Sequence, residues 1–400
     1  MSSPSASPLP VRAEPRLAGL AAVPEPPTLY SAAFVRLLAV QFCFGLSFSV
    51  YFLLPKYLTT ELHAGAAAIG AVGASALWAS VLATPLVAAM LDRVGRRPAL
   101  LLGTLITCLS SLAMPLAHAV DATLFSIRIV QGVGFALVFN AASAATADLA
   151  SGARLGEAIG MLGTASLISN ALAPALAESA ALTFGWSWVF IAAAVMSAVS
   201  FAIGLGVPET PRVPSDASAV IPKRGAKRIT YAALLNGAAF ATLFTFTQPH
   251  ALDLGSVRVS GFFVGYTVAA VAVRLLFGNA ADRFGRALVA RYSFAFYAVV
   301  VCSMALLVPG YLELFGFAFG IAHGLLYPSL VALAAERSDP ARRGAMLTLL
   351  NGAFYFGGGL ILLGGGLVAN ATSYPALFLL VGVWMLVSVV SLPRSLARLD

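Results

Sequence analysis

The sequence predicts an all-α polytopic membrane protein with about twelve transmembrane helices in two pseudo-symmetric six-helix bundles, and three observations carry this. Of 400 residues, 60% are hydrophobic and 10% charged, with a mean hydropathy of +0.91. A water-soluble domain of that composition would expose large apolar patches. A span needs about 20 apolar residues, so the chain has room for about twelve with short connections. Finally, Leu91-Asp92-Arg93-Val94-Gly95-Arg96-Arg97 returns 190 positions later as Ala281-Asp282-Arg283-Phe284-Gly285-Arg286, as an internally repeated membrane polypeptide would have it.

Residues 1–33, rich in Pro, Ser and Ala and without an apolar run long enough for a cleaved signal, are expected to form a disordered cytoplasmic tail. Spans at 34–54, 66–90, 98–118, 122–147, 157–178 and 186–207 make a first bundle over 34–207. Pro208, Pro211, Pro214 and Pro222, followed by Lys223, Arg224, Lys227 and Arg228, mark 208–228 as a cytoplasmic linker. Spans at 229–250, 258–281, 287–308, 311–335, 345–369 and 374–392 make a second bundle over 229–393, with 394–400 as a cytoplasmic tail. In each half an acidic residue closes the fourth span at a similar distance from the repeated loop: Asp148 lies 56 positions after Asp92, and Glu336 lies 54 after Asp282. Gly132 and Gly320, 188 apart, continue the correspondence. Glycine runs at Gly357–Gly359 and Gly364–Gly366 fit close helix packing, with a bend as the other reading.

The net charge of +8 is explained by topology rather than by nucleic acid. Arg93, Arg96, Arg97, Arg154, Arg212, Lys223, Arg224, Lys227, Arg228, Arg283, Arg286, Arg291, Arg337, Arg342 and Arg343 fall in or beside alternate connections, and the opposite connections hold Lys56 and Arg258. The positive-inside rule then puts both termini in the cytoplasm. Cys43, Cys108 and Cys302 sit within spans, without metal or redox spacing. No phosphate-loop motif, zinc-ligand pair or nucleophile–base spacing is present, so the expectation is a protein that is not an enzyme and carries no cofactor or metal. Its expected partners are a small-molecule substrate, protons and the lipid bilayer, with no obligate protein partner.

From Phe34 to about Pro393 these residues resemble the major facilitator superfamily. Ala88, Asp92, Arg93, Gly95, Arg96 and Arg97 follow that family's loop pattern in the first half, with Ala88 in place of the usual glycine. Gly278, Asp282, Arg283, Gly285 and Arg286 follow it in the second. The resemblance implies that Asp92 with Arg96 and Asp148, and Asp282 with Arg286 and Glu336, form two cytoplasmic latches that release when the inner gate opens. Charges at helix ends suit this role, because a helix N-terminus attracts a carboxylate and arginine bridges carboxylates. Arg128 in Arg128-Ile129-Val130-Gln131-Gly132 resembles the arginine motif of proton-coupled members. Its alternative is to snorkel toward the interface.

Other candidates for proton coupling are Glu178, read as ending the fifth span, His323 in mid-helix, and Arg274 in the eighth span, which has its own snorkelling alternative. Pro174 is retained near Glu178, but the paired glycines of the family's exporters are not. His250 is read as lying at the outer mouth. Candidate pocket residues, at suitable depth between the halves, are Gln41, Gln131, Asn140, Asn236, Tyr327, Asn351 and Tyr355. The function expected is proton-coupled efflux of a small organic compound, such as a drug or a metallophore-type secondary metabolite. Import of a sugar, amino acid or other nutrient is the rival, and a non-transporting receptor on the same fold is the rival from another class.

Overall fold

The computed structural model describes residues 30–150, 154–210, 224–277, 283–336, 338 and 343–391. Lipid offers no hydrogen-bond partners, so each apolar run closes its own backbone bonds as a helix. The first half holds α1 (Ala32–Ser49, continued by a 3-10 turn Val50–Leu53 into Leu54–Thr60), α2 (Ala66–Arg93) and α3 (Arg96–Ala113). It continues with α4 (Ala122–Leu149), α5 (Leu155–Phe184) and α6 (Trp186–Gly204). The second holds α7 (Arg224–Asp253), α8 (Gly261–Phe277), α9 (Arg286–Ser303), α10 (Leu312–Glu336), α11 (Arg343–Ala371) and α12 (Tyr374–Ser388). Among the described residues, eleven helices are long and apolar enough to cross a membrane, and α12 is a shorter apolar helix.

Local signals explain the starts. The side chains of Ser31, Asp121 and Ser373 accept backbone N–H groups in the first turns of α1, α4 and α12. Gly95 and Gly285, equivalent in the two repeated loops, both have positive φ (114° and 91°), which L side chains rarely adopt.

Several boundaries depart from the sequence reading. The first span does not stop at 54; Pro55 sits in the first turn after the 3-10 segment, where its missing N–H is harmless, and the helix runs on to Thr60. Lys56 is therefore a helix residue, 5% exposed, and not a connection charge. Glu178 lies inside α5, which continues to Phe184, and is 1% exposed. His250 is buried within α7 rather than at a mouth. Helix α7 begins at Arg224, inside the stretch read as linker, and Glu209 and Thr210 dock on the first half. The expected disordered tail up to 29, the linker from 211 to 223, Asp282, Gly278, Arg337, Arg342 and the tail from 394 lie outside the described residues.

Packing repeats between the halves. Helix α2 packs on α4 and α8 on α10, where Gly132 faces the carbonyl of Ala76 and Gly320 that of Tyr266. Ala76 and Tyr266 are 190 positions apart, the spacing of the repeated loops. The halves meet along two pairs, α2 with α11 and α5 with α8. Contacts concentrate at the end opposite the arginine-rich loops: Gly70 faces Leu362, Leu77 faces Gly358, and Trp78 stacks edge-on with Phe356 at 5.0 Å. Two to three turns beyond Trp78, the same side of α2 reaches Pro85, Ala88 and Ala89, which are exposed. The halves thus part toward the basic end.

Candidate functional site

Between the halves lies a cavity of about 340 Å³. Aromatic residues spaced four apart aim at it: Phe44, Phe48 and Phe52 from α1, Phe135 and Phe139 from α4, and Phe240 and Phe244 from α7. Phe48 stacks on Phe135 at 4.5 Å, Phe240 on Phe244 at 4.2 Å, and Phe52 meets Phe244 across the halves at 5.0 Å. Polar groups are few. Gln41 Nε2 donates to Ser166 Oγ (3.0 Å) and Ser49 Oγ to Asn170 Oδ1 (2.8 Å).

Arg128 is on the cavity wall, 6% exposed, so the snorkelling reading is set aside. Its Nη1 donates to Gln131 Oε1 at 2.5 Å, one helical turn on, and its guanidinium lies 5.3 Å from the centroid of the Tyr51 ring, a cation–π contact. Tyr51 is held in turn by donation to Ser111 Oγ (2.8 Å). Of the pocket residues expected from sequence, Gln41 and Tyr355 line the cavity and Gln131 stands behind Arg128. Asn140 bonds back to the carbonyl of Ala136 in its own helix (2.8 Å). Asn236 Oδ1 faces His323 Nδ1 (3.3 Å), and Tyr327 donates to Asn351 (2.6 Å), so these four polar residues pair with one another outside the cavity lining, while Asn236 Nδ2 is buried without a partner among the described residues. The signal in the sequence for this aromatic lining is the four-residue spacing of Phe44, Phe48 and Phe52.

His323 is half-buried among the rings of Phe240, Tyr266, Tyr297, Phe319, Tyr327 and Phe354. Arg274 is exposed, with its guanidinium over Gly163 of α5. It thus reaches from the second half across to the first.

At the basic end, Arg96 is buried and its Nε donates to Asp148 (3.0 Å), which also accepts from Thr210 Oγ1 (2.6 Å). Asp92 does not join this pair; it is exposed beside Arg93. Glu209 takes the position at the N-terminus of α3, accepting the N–H groups of Arg96 (2.7 Å) and Arg97 (3.1 Å), where the helix dipole favours a carboxylate. In the second half Arg286 and Glu336 lie 3.7 Å apart, each about one-third exposed, and Arg283 stacks on Phe284.

The opposite end carries a buried lock that sequence reading did not assemble. Lys56 Nζ donates to Glu178 Oε1 (2.6 Å) and, across the halves, to the carbonyl of Val257 (2.5 Å). Glu178 then accepts the N–H groups of Val259 (2.8 Å) and Ser260 (2.9 Å) just ahead of α8. Gln248 of α7 adds a donation to the carbonyl of Phe52 (2.6 Å). One carboxylate thus ties α1 and α5 to the start of α8 by charge-assisted bonds in a dry setting. No signal short of the folded structure links positions 122 apart such as these. Among the described residues, no His, Cys, Asp and Glu group is arranged to hold a metal ion.

A family model described as Major Facilitator Superfamily matches residues 37–255 and 229–398. The antiporter QDR2 of Candida albicans is 25% identical over 191 residues, which is 47% of this chain and 38% of that relative, so the match spans well under half of its length. The fold is similar to the nucleoside transporter NupG (TM-score 0.76, 15% identity, 90% of this chain and 98% of that one). It is also similar to the human organic anion transporter MFSD10 (0.69, 17%, 90% and 99%) and to a D-xylose-proton symporter (0.70, 17%, 88% and 96%).

Proposed function

The chain belongs to the Major Facilitator Superfamily, a multi-pass membrane transporter, and from this premise we propose that it exports a small organic compound in exchange for protons. The observation that carries the reading is the pairing of a central aromatic cavity with an asymmetric closure, locked at the Glu178 end and parted at the basic end. Under the positive-inside rule the basic end faces the cytoplasm of a bacterial inner membrane, so this arrangement receives substrate from inside. Solved folds similar to this one serve nucleosides, organic anions and a sugar, so the fold leaves the substrate to the cavity.

In this reading Glu178 couples the proton. It is the buried carboxylate of the spans among the described residues, and it holds the outer gate shut by its charge. A proton reaching this carboxylate from outside breaks its hold on Lys56 and on the start of α8 and so opens this end, and loss of that proton restores the lock. His323 and Arg274 sit in the second half and do not line the cavity. The energy source is the proton gradient.

The test is proton flux in inverted vesicles energised to an acid interior. Substrate addition is expected to alkalinise the lumen, and Glu178→Gln to abolish that response while substrate exchange persists. Accumulation of substrate in cells in place of efflux would select import.

A further inference from the structure

The cavity wall carries an uncompensated charge. Arg128 is the charged residue on its wall among the described residues, and no Asp or Glu lines it. Guanidinium stays ionised under all ordinary conditions, so the wall carries a permanent positive charge. Arg128 is nine-tenths buried, yet its partners are a neutral amide oxygen and an aromatic face, and its Nε has no partner among the described residues. A buried cation left without an anion is unfavourable. The carboxylate buried nearby in the same half, Glu178, is already committed to Lys56 and the start of α8. Arg274 adds a second positive charge at the α5–α8 contact between the halves, over Gly163.

Resting on the transport reading above, we propose that the substrate is a small lipophilic anion, its negative group seated on Arg128 between Tyr51 and Gln131. Its aromatic or apolar body lies between the Phe48–Phe135 and Phe240–Phe244 stacks. About 340 Å³ displaces roughly eleven waters at about 30 Å³ each, which suits a two-ring monoanion. Aromatic faces also attract cations, but here Arg128 occupies the Tyr51 face and repels a second cation from the same space.

The experiment compares three probes of one shape with fixed charge: naphthalene-2-sulfonate, the neutral naphthalene-2-sulfonamide, and a trimethyl-naphthylammonium. Binding to the full-length detergent-purified protein is measured by calorimetry, and flux in proteoliposomes. The sulfonate is expected to bind at least tenfold more tightly than the sulfonamide, with the ammonium weakest. Arg128→Gln should erase the sulfonate preference and keep sulfonamide binding, which also reports an intact fold, and Arg128→Lys should retain part of the preference. Equal binding of sulfonate and sulfonamide, preference for the ammonium, or no sulfonate binding at millimolar concentration overturns the proposal. Selective sulfonate binding with no flux of any probe overturns the transport reading and leaves the anion seat standing.

Discussion

Lys56 and Glu178 show how one pair of side chains can govern a gate. Each is nearly dry, so removing one partner leaves an uncompensated charge, a change that costs about 3–5 kcal/mol in buried pairs. Lys56→Met is therefore expected to destabilise the locked arrangement by roughly that amount and to open this end, read as a longer distance between spin labels on Leu62 and Leu254. Lys56→Met with Glu178→Gln removes both charges and should recover part of the loss. The basic end makes a contrasting case. Arg96 is buried and bonded to Asp148, whereas Arg286 and Glu336 are partly solvated and 3.7 Å apart. Arg96→Ala should lower thermal stability far more than Arg286→Ala, whose ion pair is worth about 0–1 kcal/mol. Equal losses in a melting experiment would contradict this ranking.

Helix contacts are set by glycines that admit a neighbouring backbone. Gly237 of α7 faces the Phe354 carbonyl of α11, and a Cβ there has no flexible side chain to displace. Overpacking of this kind costs about 1–3 kcal/mol and more where backbone must move, so Gly237→Ala should sharply reduce the yield of folded protein. Gly364, in the same glycine-rich helix α11, faces open space, and Gly364→Ala should melt as wild type does. Gly70 faces Leu362 where the two halves cross. Gly70→Ala is expected to keep each half intact and to favour the arrangement with that end open, checked by the same label pair.

Across the whole molecule, two bundles joined firmly at one end and parted at the other make a rocker. Labels on Ala89 of α2 and Leu347 of α11 probe the parted end. When the lock is cut by Lys56→Met, that distance should shorten while the Leu62–Leu254 distance lengthens. Opposite changes are the signature of rigid-body rocking about a central site. If both distances lengthen together, the halves separate and do not rock.

Much of this was legible in the sequence by itself. Apolar runs long enough to cross lipid have one local solution, so the twelve helices were readable from hydropathy, and Arg128 stood out because a charge in such a run needs a reason. Gly95 and Gly285 were marked by the repeat, and their positive φ is a local requirement. Helix ends were less secure, as Pro55 and Glu178 illustrate, since proline is tolerated in a first turn and an acid inside a span is rare unless paired. What the tertiary structure alone decided was which side of each helix faces which neighbour. Spans apolar all round carry no periodicity to reveal their orientation, so Asn140, Asn236, Tyr327 and Asn351 could be placed at the right depth yet not on the cavity wall. Likewise only folding brings Lys56 to Glu178, Glu178 to the start of α8, and Glu209 to the N-terminus of α3, because those bonds depend on how distant helices cross.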